Sequence, residues 1–501
     1  MTLSEKSRDF LKKVPGMLGY SAANITIAGG PHIIGLYFMM FLTEVEGLSL
    51  AQAGLVMLLG RIWDGVIDPV IGLMTDRTRS RFGRRRPYYL LGLLPVVVSY
   101  ICMWYSFGIP NESPALKTLY YILAYFFFVT AMSIISVPHE SLMPEIAPEY
   151  SLRVHYNSAK YIMNSAGMMS MFMLSAAFFG FLETKSFTPE LKNSFLLMGA
   201  VLGAIFIIPL IITFYSTKEK DWREIPKPPL NAGEIIWEYR ESFKSRAMRQ
   251  YIVLQILNYI SINVFSSANP YFLKYVSRNH AKLNLLITYQ GFGQMSAFPL
   301  IYWMSLRYGK QSPAKLLTPL MPLAVIISFF ITTQTDPNTA FILQTVTAML
   351  FYFGWAGMSI MPATVFPDTT DVDELITGKR REGVLSAINT LAGQSSVGLG
   401  QGLTGLVCAL FGVQTAQESL VQTDTAVWGL RVAFAVLPAL LAIVFMLLSG
   451  RFKMKKSDHE LITRVIAEKK EHGTVTVTDG ERAILEDITG QSFEEMWIGR
   501  C

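Results

Sequence analysis

Charge is scarce in this sequence. Of 501 residues only 16% are Asp, Glu, Lys or Arg, against 51% hydrophobic, whereas soluble proteins carry about a quarter charged residues. That shortage excludes an ordinary soluble chain of two or three domains. Cysteine is scarcer: Cys102 and Cys408 lie in apolar runs and Cys501 is the last residue, a spacing that excludes a disulfide framework or a cysteine-ligated metal. No GxxxxGK[ST] phosphate loop occurs, so ATP is not the evident energy source and no cofactor is expected. The first residues, MTLSEKSRDFLKKVPGMLGY, lack an apolar core followed by a small-residue cleavage site, so no removable signal peptide is expected. A long exposed heptad pattern that would demand an oligomer is also missing, and a monomer is expected.

What is abundant is apolar sequence in runs of about 20 residues or more, the length that crosses a bilayer as a helix. Such runs lie near 19–43, 51–74, 88–109, 117–142, 157–183 and 194–215, then 250–276, 283–306, 314–334, 339–366, 382–412 and 424–449. Twelve spans predict an all-α membrane protein of two six-helix bundles, residues 1–216 and 250–450. A cytoplasmic connector (217–249) and a soluble tail (451–501) complete the expected layout. The net charge of +6 is concentrated where it orients the chain, not where it would grip nucleic acid. Arg77, Arg79, Arg81, Arg84, Arg85 and Arg86 fill the loop after span 2, and Arg307, Lys310 and Lys379–Arg381 fall in loops on the same side. That side is then cytoplasmic, with both termini. A faint echo of GLMTDRTRSRFGRRR in WMSLRYGKQSPAK, after span 8, supports two parallel halves. In the tail, Thr478-Asp-Gly-Glu481 reads as a capping box opening a short helix that Gly490 closes, within an otherwise ordinary cytoplasmic segment.

The charges inside the spans carry the chemistry. GRIWDGVIDP, residues 60–69, sets Asp64 and Asp68 four apart on one helix face, about 6 Å along the axis. Each carboxylate near a membrane centre costs roughly 2.5–3.5 kcal/mol, so both should face the bundle interior, where Arg61 neutralises one. The second must be protonated, paired elsewhere, or occupied by a cation, and two close carboxylates suit H+ or a hard ion such as Na+. A static ion-pair network pinning span 2 is the bland alternative.

GRIWDGVIDPVIGLMTDRTRSRFGRRRPYYLLG resembles the helix 2–3 signature of the glycoside–pentoside–hexuronide:cation symporters, the melibiose-permease-like branch of the major facilitator superfamily. DVDELITGKRREGVLSAINT at 371–390 is similar to that family's helix 10–11 loop. The resemblance implies alternating access around a central cavity, with the coupling cation at Asp64 and Asp68, which become metal ligands only if that cation is sodium. The family's helix 4 hydroxyl beside that cation falls on Ser133, while its asparagine between the two aspartates falls on Ile67, which favours a proton. The family's two sugar-gripping aspartates fall on Ala28 and Ser136, its helix 5 arginine on Lys160 and its helix 11 lysine on Gln394. Losing acids while keeping a cation shifts the cavity toward an anionic substrate such as a uronide or a sulfonated sugar. The family's loop motif maps onto Gly72, Asp76, Arg77, Arg84 and Arg85 as a latch between states, and the same arginines suit anionic lipid headgroups.

The remaining candidates come with bland counterparts. Lys160 either meets substrate or snorkels to the interface. Glu140, after Pro138-His139, is a substrate contact, a second proton carrier, or a partner for Lys160. Asn389, Thr390 and Gln394 suit a hydroxyl-rich ligand or interhelical packing. Trp355 is a platform for a sugar ring or a core aromatic. The expected function is a cation-coupled glycoside symporter of the bacterial inner (plasma) membrane, with a small-molecule substrate, a coupling cation and membrane lipids as partners. It is not an enzyme. A lipid or lysolipid transporter of the same superfamily and a non-transporting membrane sensor remain as alternatives.

Overall fold

The computed structural model describes residues 14–110, 113–146, 150–180, 188–219, 239–308, 311–379, 381–415, 422–450 and 456–499. Most of the expected connector (220–238), the start of the tail (451–455), Arg380 and the side chain of Asp76 lie outside the described residues. Among the described residues the chain is helical, with a single isolated β-bridge at Ser80–Gly83.

In chain order the helices are α1 (Ala23–Ile33, continued by π segments Ile34–Phe38 and Phe41–Val45), α2 (Leu50–Arg77), α3 (Pro87–Met103), α4 (Pro114–Ile146), α5 (Tyr150–Phe179), α6 (Lys192–Ile205) and α7 (Ile207–Ser216). Next come α8 (Arg246–Tyr275), α9 (Leu283–Tyr308), α10 (Ser312–Leu317), α11 (Leu320–Phe329), α12 (Pro337–Thr377), α13 (Glu382–Leu410), α14 (Asp424–Arg431) and α15 (Leu437–Ser449). The tail adds α16 (Lys456–His472) and α17 (Asp479–Thr489). Local chemistry sets several ends. Ser49 and Gln52 cap α2 reciprocally, the Ser245 hydroxyl accepts from the Met248 amide at the start of α8, and Asp336 followed by Pro337 opens α12.

Eight helical stretches among the described residues are long and apolar enough to cross a membrane. The four other expected spans are helical but fall short of that measure for visible reasons. α1 is interrupted by its π segments, α3 is 17 residues long, α9 is diluted by Asn284, Gln290 and Gln294, and α13 by Asn389, Gln394, Gln401 and its glycines.

The chain divides into two compact units. One comprises Met1–Leu230, His280–Leu285 and Thr404–Ala426; the other comprises Asn231–Asn279, Leu286–Leu403 and Val427–Cys501. In the first, α1 packs on α5, α2 on α4, and α3 on α4, α6 and α7. In the second, α8 packs on α12 and α15, and α10 and α11 pack on α12. Gly400 of α13 belongs to this second unit, where a Cβ would stand 2.7 Å from Cβ of Asn263.

Two features depart from the sequence reading. DVDELIT, part of the stretch that resembles the family's helix 10–11 loop, continues α12 to Thr377. Its carboxylates are tolerated in a buried helix end because basic side chains meet them. Arg381 pairs with Asp373 at 2.6 Å, Lys470 pairs with Glu374, and His459 lies 3.0 Å from Asp371 and 3.6 Å from Asp368. The last three contacts come from the tail, which is therefore not an ordinary solvated segment. α16 docks on α12 and α17 on α8, where Arg246 pairs with Asp487 at 2.7 Å. The short helix opened by Thr478 and Glu481 is present, closed by Gly490 at φ 72°.

The first unit is also knotted by charge just past α1. Glu46 is buried, 2.8 Å from Lys117 and 2.9 Å from Lys192, and Ser106 donates to it at 3.2 Å. Burial pushes the Glu46 carboxyl up, but the two lysines more than reverse this and hold it below the usual glutamate range. Its stabilisation is thus complete above the free glutamate value of about 4.3 and is lost as pH falls through its lower folded value. Glu46→Gln removes the carboxylate from between two ammonium groups and is expected to cost about 3–5 kcal/mol, read as a lower melting temperature at neutral pH. An unchanged melting temperature would show that the knot is not structural.

Candidate functional site

α2 is seated on α4 by three successive contacts that set its rotation. A Cβ at Gly60 would lie 2.2 Å from the Tyr125 ring, so only glycine permits this approach. One turn on, the Trp63 indole donates to the Thr130 hydroxyl at 2.9 Å and stacks on Phe126 with centroids 4.8 Å apart. One further turn brings the buried Ser133 hydroxyl to Asp68, donating to Oδ1 at 2.6 Å. Asp64, on the same face, is half-buried like Asp68, and Arg61 is near enough to act on it electrostatically. Pro69 lies inside α2 and has no N–H, so the Gly65 carbonyl loses its helical donor between the two carboxylates.

Asp64, Asp68 and the Ser133 hydroxyl thus form one locus of two carboxylates and a hydroxyl. A proton or a hard cation is what such a set binds. Among the described residues no group of three or more His, Cys, Asp or Glu is placed to hold a metal ion. A sodium ion here would therefore need hydroxyl or main-chain oxygens as well, and the Ile67 side chain contributes no oxygen.

A second polar locus sits further along α4. Glu140 forms an ion pair with Lys160 of α5, so the lysine does more than snorkel. Ser136, one turn before Glu140 on the same face, is half-buried. The charge of Lys160 is thus balanced within its own unit, which alters the reading of it as a lone cation waiting for an anion.

The second unit holds the other candidates. Asn389 Oδ1 accepts from the Tyr251 hydroxyl at 2.7 Å and from Gln255 Nε2 at 3.2 Å. Its carbonyl is committed to packing, and its amide N–H groups are what it has to offer. Thr390 is exposed and Gln394 half-buried. The Trp355 ring meets Tyr352 edge-on at 6.0 Å, and its indole nitrogen is buried with no hydrogen-bond partner among the described residues.

Of the expected latch, Gly72 has room for a side chain, since a Cβ there would lie 3.7 Å from Val137 Cγ1; Arg77 is exposed and Arg84 is buried. Arg85 is tied within its own unit: its guanidinium donates to the Ser141 carbonyl and its amide to Glu219 at 2.8 Å. Glu219 went unnoticed in the sequence because it sits among the charges of TKEK after the sixth apolar run. Tyr251 and Gln255 were likewise missed, although their i, i+4 spacing puts both on one face.

Comparison with known proteins places these geometries in context. A family model described as MFS/sugar transport protein matches residues 19–456. The isoprimeverose transporter of Lactiplantibacillus pentosus is 25% identical over 76% of this chain and 77% of its own. A glucuronide carrier protein homolog of Escherichia coli is 23% identical over 84% of this chain and 87% of its own. The sodium-dependent lysophosphatidylcholine symporter 1-A of Danio rerio is 20% identical, covering 88% and 87%. In fold, the crystal structure of the nucleoside transporter NupG matches 88% of this chain and 98% of that one, with a TM-score of 0.59 at 13% identity.

Ser133→Ala removes the hydroxyl that donates to Asp68. Hydrogen bonds to charged groups contribute about 1.5–3 kcal/mol, so the pH or sodium midpoint for thermal stabilisation of the purified protein is expected to move by roughly tenfold or more in concentration. A midpoint identical to wild type would separate Ser133 from the cation locus.

Proposed function

Because the chain belongs to the MFS/sugar transport protein family, we propose that it is a cation-coupled symporter importing a glycoside, with carboxylated or sulfonated glycosides among its substrates. It is a membrane transporter and not an enzyme. The proposal includes twelve crossings in two six-helix bundles, both termini in the cytoplasm, and a bacterial plasma membrane as its site. The observation that carries it is the Ser133–Asp68 hydrogen bond, one helical turn from Asp64. It joins two intramembrane carboxylates and a hydroxyl in one locus that a single cation can neutralise.

Neutralisation lowers the cost of moving the pair through a low-dielectric surround, so the cation-loaded carrier changes state more readily than the bare one. A differential of this kind is what couples an ion gradient to a second solute. Ile67 leaves one oxygen fewer for a sodium shell, and a proton is the favoured ion. In the first unit the substrate meets Ser136, Glu140 and Lys160. An anionic substituent competes with Glu140 for the Lys160 ammonium, and a neutral sugar hydrogen-bonds to the intact pair. In the second unit Asn389 offers its N–H groups, Thr390 and Gln394 their polar side chains, and Trp355 an aromatic face. Gly72, Asp76, Arg77, Arg84 and Arg85 steady one of the two states.

Lysolipid transport is a second reading, favoured by the likeness to the zebrafish lysophosphatidylcholine symporter. The Lys160–Glu140 pair weighs against it, because a lipid tail gains nothing from a charged pair. Uptake of radiolabelled lysophosphatidylcholine alongside glycosides distinguishes the two.

Two outcomes are expected in proteoliposomes. Asp64→Asn and Asp68→Asn each abolish gradient-driven accumulation while leaving some downhill exchange; full accumulation by both rules the mechanism out. Lys160→Gln lowers uptake of p-nitrophenyl β-D-glucuronide roughly tenfold or more and that of the matching glucoside by about twofold at most. Equal losses for the two sugars would remove the anionic-substrate reading.

A further inference from the structure

His139 is absorbed by neither locus, yet it is fully buried and more heavily anchored than any other group on α4 that the site employs. Ser133, Ser136 and Glu140 stand at i, i+3 and i+7 and share one helix face. His139 is rotated about 100° from Glu140, into the first unit. Three residues hold it, one from the helical stretch just before α1, one from α1 and one from α3. Asn24 of α1 places Nδ2 2.8 Å from its Nε2, the Tyr89 hydroxyl of α3 lies 2.8 Å from Nδ1, and the Tyr20 ring stacks on the imidazole with centroids 4.3 Å apart. Tyr20 also donates its hydroxyl proton to the His139 carbonyl at 2.9 Å.

The proton positions follow from the partners. Asn24 Nδ2 also donates to the Ser21 carbonyl at 3.2 Å. A carbonyl can only accept, so the amide is oriented with its NH2 group toward the ring. Nε2 therefore accepts, Nδ1 carries the proton, and the Tyr89 oxygen receives it. One neutral tautomer is locked by both ends.

α4 needs such an anchor at this turn. Pro138 and Pro144 lack N–H groups, so the carbonyls of Ile134 and Glu140 lose their helical donors on either side of His139. The main-chain ladder is weakened where Glu140 must be aimed at Lys160, and side-chain contacts have to fix the rotation in its place. Arg85 adds a further grip on the Ser141 carbonyl.

We infer that His139 is a positioning residue: clamped by Asn24, Tyr89 and Tyr20, it sets the rotation of α4 that aims the Glu140 carboxylate at the Lys160 ammonium, and so tunes substrate affinity. The second half of this statement rests on the reading that the Glu140–Lys160 pair meets the glycoside; the first half does not.

Two readouts on the full-length protein test it. Acetylation of Lys160 by acetic anhydride, followed by mass spectrometry, reports whether the ammonium is still held by its carboxylate and needs no substrate. In proteoliposomes, KM and Vmax for p-nitrophenyl β-D-glucuronide report the consequence. In His139→Gln and Tyr89→Phe, Lys160 is expected to acetylate roughly tenfold faster, and KM to rise by a similar factor with Vmax within about twofold. His139→Asn, which keeps a donor toward Tyr89, restores part of both. In a Lys160→Gln background, His139→Gln produces no further rise in KM. Wild-type acetylation in a folded Tyr89→Phe protein overturns the inference, and so does a KM effect undiminished in the Lys160→Gln background. Should His139→Gln fail to fold, Tyr89→Phe decides. If the wild type carries no glucuronide, the substrate reading falls while acetylation still judges the positioning role.

Discussion

A carboxylate inside a membrane must be compensated, and the form of the compensation decides whether it is structure or machinery. Asp68 is met by one hydroxyl, that of Ser133, at 2.6 Å. A hydrogen bond stabilises the negative charge without cancelling it. Asp64 follows one turn away on the same face of α2, so the locus retains the capacity to take up a cation. The packing of α2 on α4 through Gly60–Tyr125 and Trp63–Thr130 exists in the register that makes this meeting possible.

Two fully buried acids, Glu46 and Asp373, are sealed by contrast. Glu46 is gripped by two lysines, and Asp373 receives two hydrogen bonds from Arg381. Such pairs hold helices together, and breaking one partner costs more than the pair contributes. Glu140 and Lys160 lie between the extremes: they are paired, but the glutamate side chain is half exposed, so an incoming group can exchange with either partner. Sealed pair, exchangeable pair and hydrogen-bonded acid form a gradation among groups of the same chemical type, and the proposed structural, substrate and coupling roles follow it.

How far this was legible in the sequence depends on how local the signal is. The i, i+4 aspartates, the Thr478–Glu481 cap and the Gly490 stop are local patterns, and each stands where its spacing predicts. The meeting of Ser133 with Asp68 came from family resemblance, since nothing local links residues 65 positions apart. The acidic stretch at 368–374 follows the apolar run that ends near 366 and resembles a family loop; its partners His459 and Lys470 lie about ninety residues downstream, beyond the reach of any local pattern. The same holds for His139, whose clamps come from Asn24 and Tyr89, whereas the Glu140–Lys160 pair is one of the alternatives the sequence offers. Apolar periodicity marks helices, whereas long-range ion pairing decides which of their charges are at work.

The central claim is that the Asp64–Asp68 locus changes its charge state when it binds the coupling ion. Infrared difference spectroscopy of the reconstituted protein, stepping pH at fixed sodium and sodium at fixed pH, observes those carboxylates directly. The expected result is a carboxylate band that gives way to a protonated carboxyl band as pH falls, or that shifts on adding sodium, with the change absent from the Asp64→Asn and Asp68→Asn variants. Spectra that respond to neither ion, or that respond identically in both variants, would contradict the account.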